Sequence, residues 1–388
     1  MSGMTTYRYF ATCARGLEPV LAGELRQLGA ADVEAGRGGV AFAGDRTLVY
    51  RANLWLRTAI RVLQPILEAP VHSPDELYAA VQTLDWVQYL TLEHTFAVDC
   101  NVRDSALTHS QYAAQRTKDA ICDQFVARTG RRPRVDRTAP MVGLNLHIAR
   151  NHMVLSLDSS GASLHKRGYR PIQTKAPLNE ALAAGLVLLT GWDGTTPFAD
   201  PLCGSGTLPI EASWIALRRP PGLTRKRFGF QGWLDFDIEH WTAIRDEARQ
   251  AVRKALLAPV VGSDVRRDAI AFADCNARAA GVGHLLRFTV CDLRDFRPPG
   301  PPPGVILCNP PYGQRIGAAK ELRGLYKLLG DVLRERCAGW TAFVFSGNPA
   351  LDEAIGLTPT SGIPLYNGRI PCRLLRYDLA GGRSEPAV

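Results

Sequence analysis

Long apolar runs are missing from this chain. Its richest stretch, residues 181–189 (ALAAGLVLL), is far short of the roughly 20 residues that cross a bilayer. The first residues, MSGMTTYRYF, lack the charged start and apolar core of a secretory signal. Nine cysteines are scattered from Cys13 to Cys372. None forms a Cys-x-x-Cys pair and none stands near histidine at zinc-ligand spacing, so neither a disulfide framework nor a metal site is expected. Reduced, buried thiols in a cytoplasmic protein with no membrane partner are the reading that remains. Repeats and low-complexity tracts are also missing, apart from Pro298-Pro299-Gly300-Pro301-Pro302-Pro303-Gly304, which suits a stiff loop rather than a helix or central strand.

What is present describes a globular chain. Its 388 residues, 46% hydrophobic and 21% charged, suggest two or three domains with real cores. The net charge of +9 is unevenly spread: residues 1–99 balance at −3, residues 100–170 at +7 and residues 171–388 at +5. A basic middle segment points to a polyanionic partner. Arg131, Arg132, Arg134 and Arg137 fall in a loop there, where they can reach phosphates.

The pattern changes along the chain. Residues 1–65 read as a small α+β unit, with strands over 7–12 and 40–42 and helices over 17–28 and 48–63. Residues 66–165 follow the same α+β pattern, with a helix over 74–81, a strand over 95–101, a helix over 110–128, then a hairpin of 142–148 and 153–157. From 166 to 388 strands alternate with longer helices. Strands are expected over 196–200, 260–264, 286–290, 305–309 and 341–346. Helices are expected over 179–190, 210–217, 238–257, 268–280 and 320–336, with an antiparallel end near 368–378. That alternation predicts an α/β doubly wound, mostly parallel sheet, with ligands held off the carboxyl ends of its strands.

Four features fall at such ends. Asp200-Pro201-Leu202-Cys203-Gly204-Ser205-Gly206-Thr207 runs from strand through loop to helix. Its glycines allow close backbone approach, and Asp200 can meet a cation. It lacks the Gly-Lys-Ser/Thr of a phosphate loop, and Pro209 takes the place of the third glycine of a dinucleotide fingerprint. Asp264 closes the next strand, where a carboxylate can accept from a ribose diol, with Val265 beside it. Asp292 follows the strand after that, placed for an adenine amino group, with Leu293 next. Singly, each acid is an ordinary helix cap; three in register at successive strand ends point to a site.

The fourth feature is Asn309-Pro310-Pro311-Tyr312-Gly313 after the apolar run 305–308. The prolines remove two backbone donors and leave carbonyl acceptors. Asn309 adds a side-chain acceptor and Tyr312 a flat face for a base. Two acceptors holding the hydrogens of an exocyclic amine aim its lone pair at an electrophile, which is positioning and charge stabilisation rather than strong-base chemistry.

With these residues in hand, 170–380 resembles a class I S-adenosylmethionine-dependent methyltransferase with a Rossmann-like sheet. The whole chain resembles the THUMP-domain guanine-N2 methyltransferases of large-subunit ribosomal RNA, with ferredoxin-like (1–65) and THUMP (66–165) domains ahead of the catalytic domain (166–388). The resemblance implies that Lys175, Pro177, Leu178 and Asn179 pack over the cofactor. It implies that Asp200, Pro201, Cys203, Gly204, Ser205, Gly206, Thr207, Asp264, Val265, Asp292, Leu293 and Asn309 bind S-adenosylmethionine, leaving S-adenosylhomocysteine as product. Asn309, Pro310, Pro311 and Tyr312 match the catalytic motif. The stretches 164–170 and 228–233 are also family-like, and Lys166 and Arg167 join the loop arginines as RNA contacts. The expected partner is structured RNA, 23S ribosomal RNA or a large-subunit precursor, bound by a monomer.

Two departures stand out. Some relatives carry a second methyltransferase domain, and this chain ends at Val388, so that activity is expected to be absent. The interval between Asp200 and Asp264 is long and holds Arg218, Arg219, Arg225, Lys226 and Arg227, read as a substrate-side flap with a solvated surface loop as the alternative. Transfer-RNA guanine, adenine N6 and a protein glutamine remain open as alternative targets of the same motif. A non-catalytic RNA-binding assembly factor is the alternative outside enzyme chemistry.

Overall fold

The computed structural model describes residues 5–170, 178–312 and 319–380. Two compact units emerge. One comprises the chain up to Cys13 together with Leu21–Leu164 and Arg225–Asp246; the other comprises Ala14–Val20, His165–Thr224 and the chain from Glu247 onward.

In the first unit the strands are β1 (Tyr7–Cys13), β2 (Ala31–Gly36), β3 (Gly39–Gly44), β4 (Ala59–Pro70), β5 (Thr95–Arg103), β6 (Arg134–Val135), β7 (Val142–Ala149) and β8 (His152–Asp158). They form one continuous sheet in the order β2-β3-β1-β4-β8-β7-β5-β6. Helices α1 (Glu18–Gln27), α2 (Arg46–Trp55), α3 (Pro74–Gln82) and α4 (Ser110–Thr129) complete the early chain. Two expected α+β units therefore share a single sheet, joined where β4 pairs antiparallel with β8.

That junction overturns one expectation. The helix predicted over 48–63 ends at Trp55, Leu56 turns into extended backbone, and β4 begins at Ala59. The β-branched Thr58, Ile60 and Val62 favour extended backbone, and β4 pairs with both β1 and β8. Pro65 lies beyond the predicted helix. In the strand it sits at a register shift between Pro65 and Leu67, where a missing donor costs little.

The long interval after Asp200 is a second correction. Its segment 225–246 belongs to the first unit, not to a substrate-side flap. Arg225 is buried and donates to the carbonyls of Ser163 (2.9 Å), Ser160 (3.1 Å) and Ala162 (2.5 Å). Phe230 packs on Tyr50 with ring centroids 4.6 Å apart, and Trp241 meets Tyr50 edge-on. Aromatic burial of this kind anchors the segment as part of a core.

In the second unit the strands are β9 (Phe198–Asp200), β10 (Val260–Asp264), β11 (Leu286–Val290), β12 (Val305–Cys308), β13 (Thr341–Ser346), β14 (Ser361–Asn367) and β15 (Ile370–Asp378). Their order is β11-β10-β9-β12-β13-β15-β14. The first five are parallel, and β15 and β14 close the sheet antiparallel. Helices α5 (Glu180–Leu189), α6 (Thr207–Ala216), α8 (Arg267–Ala279) and α9 (Ala319–Arg336) alternate with the strands, while α7 (Ile238–Gln250) belongs to the first unit up to Asp246. The helix predicted over 238–257 stops at Gln250. Chain order reverses between β9 and β12, the crevice where open α/β sheets bind ligands. Among the described residues no helix is long and apolar enough to cross a membrane.

Candidate active site

The expected site residues lie along the carboxyl edge of the second sheet. Asp200 ends β9 and is 2% exposed. Its Oδ1 accepts the Leu202 N–H at 3.0 Å. Burial pushes its carboxyl well above the ordinary carboxylate range, and the nearby Asp264 pushes the same way. The loop then turns through Gly204 (φ 51°) and Gly206 (φ 80°), left-handed values that favour glycine. A Cβ on Gly206 would lie 3.0 Å from both Ala273 and the Phe288 ring, so glycine is required on packing grounds as well.

Several groups hold this loop. The Gly204 N–H donates to Asp264 Oδ2 at 3.0 Å, the Cys203 N–H donates to the Ser263 carbonyl at 2.9 Å, and Asn276 Nδ2 donates to the Ser205 carbonyl at 3.0 Å. Asp264 thus braces the glycine loop while ending β10. Asp292 caps the short turn 293–295 by accepting the Arg294 N–H at 2.9 Å. A cavity of about 480 Å³ opens beside these ends. Its walls include Pro201, Leu202, Val265, Asp292 and Leu293, faced by Leu325 of α9.

Leu178 and Asn179 stand at the start of α5. Asn179 is its N-cap, accepting from the Ala181 and Leu182 N–H groups at 2.9 and 3.1 Å. Lys175 and Pro177 lie outside the described residues. Arg170 ties this stretch to the glycine loop: it donates to the Leu178 carbonyl at 2.7 Å and to Thr207 Oγ1, and pairs with Glu180 at 3.5 Å.

Asn309 follows β12 directly. Its Oδ1 is buried and, among the described residues, has no hydrogen-bond donor. A buried acceptor without a partner costs free energy, so it marks a place where a ligand donor belongs. Pro310 is buried and Pro311 exposed. Tyr312 is half-buried; burial pushes its phenol up to about 12, so it stays neutral. Asn309 and Tyr312 are not among the walls of the 480 Å³ cavity but stand at the next strand end along the sheet.

The candidate RNA contacts divide. Arg131, Arg132, Arg134 and Arg137 are exposed. Arg137 and Lys118 line a separate cavity of about 490 Å³ against β5 and α4. Lys166 is exposed. Arg167 is 1% exposed and pairs with the fully buried Glu211 at 3.6 Å, while the Tyr169 hydroxyl donates to Glu211 at 3.0 Å. Arg167 is therefore a core residue and not an RNA contact, because a guanidinium sealed against a buried carboxylate cannot present itself to phosphate.

Residues 167–376 match the family model described as RMKL-like, methyltransferase domain. The chain belongs to the RMKL-like methyltransferase family. Residues 8–63 match the RlmL ferredoxin-like domain and residues 71–158 the THUMP domain. The methyltransferase is 45% identical to a proposed RNA methyltransferase of Synechocystis sp., over 97% of each chain. It is 46% identical to the ribosomal RNA large subunit methyltransferase K/L of Syntrophotalea carbinolica, over 97% of this chain and 54% of that one. A crystal structure of a proposed methyltransferase complexed with S-adenosylhomocysteine superposes with TM-score 0.88 at 31% identity, covering 98% of this chain and 99% of that one.

Three contributors to the site escaped the sequence reading. Asn276 is a buried polar residue on the inward face of α8, and that break in an apolar stripe was its signal. Arg170 lies in the family-like stretch 164–170 but gave no separate signal, although it joins the start of α5 to the glycine loop. The α9 wall of the cavity, including Glu321, Leu325 and Leu328, gave no signal because its spacing is that of any packed amphipathic helix.

Proposed function

We propose that this chain methylates the exocyclic N2 of a guanine in large-subunit ribosomal RNA, with S-adenosylmethionine as donor and without a metal. The observation that carries the reading is Asn309 Oδ1, a buried acceptor with no donor among the described residues, standing where an alternating α/β sheet presents its ligands. A guanine amine supplies the missing donor. Support for the substrate comes from the relatives named for RNA and large-subunit ribosomal RNA methylation, and for the donor from the structure bound to S-adenosylhomocysteine.

The residues fit that donor. Asp264 and Asp292 supply carboxylates for ribose and adenine beside the 480 Å³ cavity. Val265, Leu293 and Pro201 supply its apolar walls. Gly204 and Gly206 allow close backbone approach, with Ser205, Cys203 and Thr207 in the same loop and Leu178 and Asn179 alongside. Asp200 is a buried acid with no cation against it among the described residues, which suits the donor's ammonium group. When bound, the donor supplies an electrophilic methyl. Asn309 and the carbonyl of Pro310 hold the two amine hydrogens and turn the nitrogen lone pair toward it, Pro311 stiffens the segment, and Tyr312 stacks on the base. Activation is by orientation, since neutral Tyr312 and Asn309 provide no base. Residues 1–65 and 66–165 serve as the ferredoxin-like and THUMP domains and 166–388 as the catalytic domain, acting as a monomer.

Asn309→Ala should lower methyl transfer by roughly a hundredfold or more, the scale for losing one oriented polar group at a reacting centre. Cofactor binding measured by calorimetry should survive with a far smaller loss, and equal loss of both would overturn the assigned role. Mass spectrometry of RNA from a gene-deletion strain should lose N2-methylguanosine; loss of N6-methyladenosine instead would reassign the base.

A further inference from the structure

The parallel strands β9 to β12 account for the cofactor loops and for Asn309, which leaves the antiparallel β14–β15 hairpin without a role. Its tip supplies one. Asn367 ends β14 and pairs with Ile370, separated by a two-residue turn through Gly368 (φ 62°). Its Nδ2 donates to the Tyr312 hydroxyl at 2.7 Å. Burial pushes the same phenol up, and Cys372 of β15, which stands beside it, adds to the rise. The hydroxyl is thereby held from the tip of one hairpin.

The ring is confined as well. A Cβ on Gly347, just after β13, would lie 3.0 Å from Tyr312 Cδ2, 3.1 Å from Cε2 and 3.1 Å from Cys372 Sγ. Glycine at 347 therefore leaves only the room the ring occupies. Phe345 meets the ring edge-on, with centroids 6.4 Å apart and planes at 88°. The segment that bears Tyr312 hangs from β12 and carries two prolines, so it has few donors of its own to fix the ring. The hairpin provides that fixation from outside the motif.

We propose that Asn367 is a positioning residue, which sets the plane of the Tyr312 ring so that the target base stacks with its amine at Asn309. This inference rests on the base-methylation reading above. It also gives the antiparallel end of the sheet a purpose: β14 and β15 carry a polar clamp to the substrate side of the motif. The Tyr312 hydroxyl is an anchor for the ring and takes no part in proton transfer.

The test is a double-mutant cycle with Asn367→Ala and Tyr312→Phe, read by RNA methylation. Each single change should lower kcat by roughly tenfold to a hundredfold, the scale of a small misplacement at the reacting centre. KM for RNA and cofactor affinity should move little. The double variant should be no slower than the slower single, because both remove the same bond. Losses that multiply, or Asn367→Ala at wild-type rate, overturn the proposal. A second readout does not depend on turnover: an oligoribonucleotide carrying 2-aminopurine, whose fluorescence should be quenched by stacking on wild-type enzyme and recover with Asn367→Ala. Gly347→Ala, which pushes on the ring without touching the hairpin turn, should reproduce both effects; an unchanged rate and unchanged quenching there overturn the clamp. If wild-type enzyme fails to methylate RNA, the base-methylation reading falls. If it succeeds and Asn309→Ala is inactive while Asn367→Ala is normal, only the clamp falls.

Discussion

The segment 131–137, expected as a loop but containing the short strand β6, and the stretch 167–170 are both rich in arginine and put it to opposite uses. Arg131, Arg132, Arg134 and Arg137 all face solvent. Arg167 is sealed against Glu211, and Arg170 is nine-tenths buried against Glu180. Exposed guanidinium groups keep their hydration until a phosphate displaces it, so their value appears in binding and depends on salt. Buried ones have lost that hydration already and are stable only while their carboxylates remain. Charge counts add the two groups together, although only one of them can meet RNA.

The largest effect that sharpens this contrast is on stability. Glu211→Ala leaves Arg167 buried without its carboxylate and should destabilise the fold by about 3–5 kcal/mol, the range for breaking a buried pair from one side. Thermal unfolding of the purified protein measures it. A melting temperature equal to wild type would mean that Arg167 finds water or another partner, and the contrast with the loop would collapse.

Next in size is RNA affinity. Reversing Arg131, Arg132 and Arg134 to glutamate should weaken RNA binding by roughly tenfold or more at moderate salt and reduce the salt slope by about one for each phosphate no longer neutralised. Melting temperature should hold, since none of the three is buried. Unchanged affinity would remove this loop from the RNA surface and leave Lys166 or the cavity beside Arg137 and Lys118 as the basic contact in that part of the chain.

The same contrast shows which features sequence conveys. Asp200, Asp264, Asp292 and Asn309 were legible because each stands at or just past the end of an expected strand, and a parallel sheet places every such end on one edge. Arg167 was misread because its partner Glu211 is remote in the chain; the local string of basic residues is the same whether its members face water or a carboxylate. Strand β4 was misread because apolar residues after Trp55 continue a helical spacing, while the competing signal was the alternating β-branched set Thr58, Ile60 and Val62. The shared sheet of the first unit depends on the pairing of β4 with β8, a long-range choice that neither strand specifies alone. Asn367 carried no signal, since an Asn-Gly pair serves any tight turn.

Asp200 completes the comparison because it is a buried acid with no cation against it among the described residues; burial raises its pKa and Asp264 adds to the rise. A carboxyl raised above its ordinary 3.8 binds protons more readily in the folded chain than in the unfolded one. Its stabilising contribution is therefore complete below the unfolded value and is lost as pH climbs through the folded value. Asp200→Asn, measured without ligand, should flatten that fall and raise the melting temperature at neutral pH by a few degrees, as roughly 1 kcal/mol would do in a domain of this size. Cofactor affinity should move the other way. The donor's ammonium would give Asp200 the partner that Arg167 gives Glu211, so wild-type binding should expel a proton and tighten as pH rises, and the asparagine variant should do neither. Calorimetry in buffers of different ionisation heat separates the two. A proton count of zero in wild type would mean that Asp200 stays protonated with the donor bound, and that a buried acid here needs no cation after all.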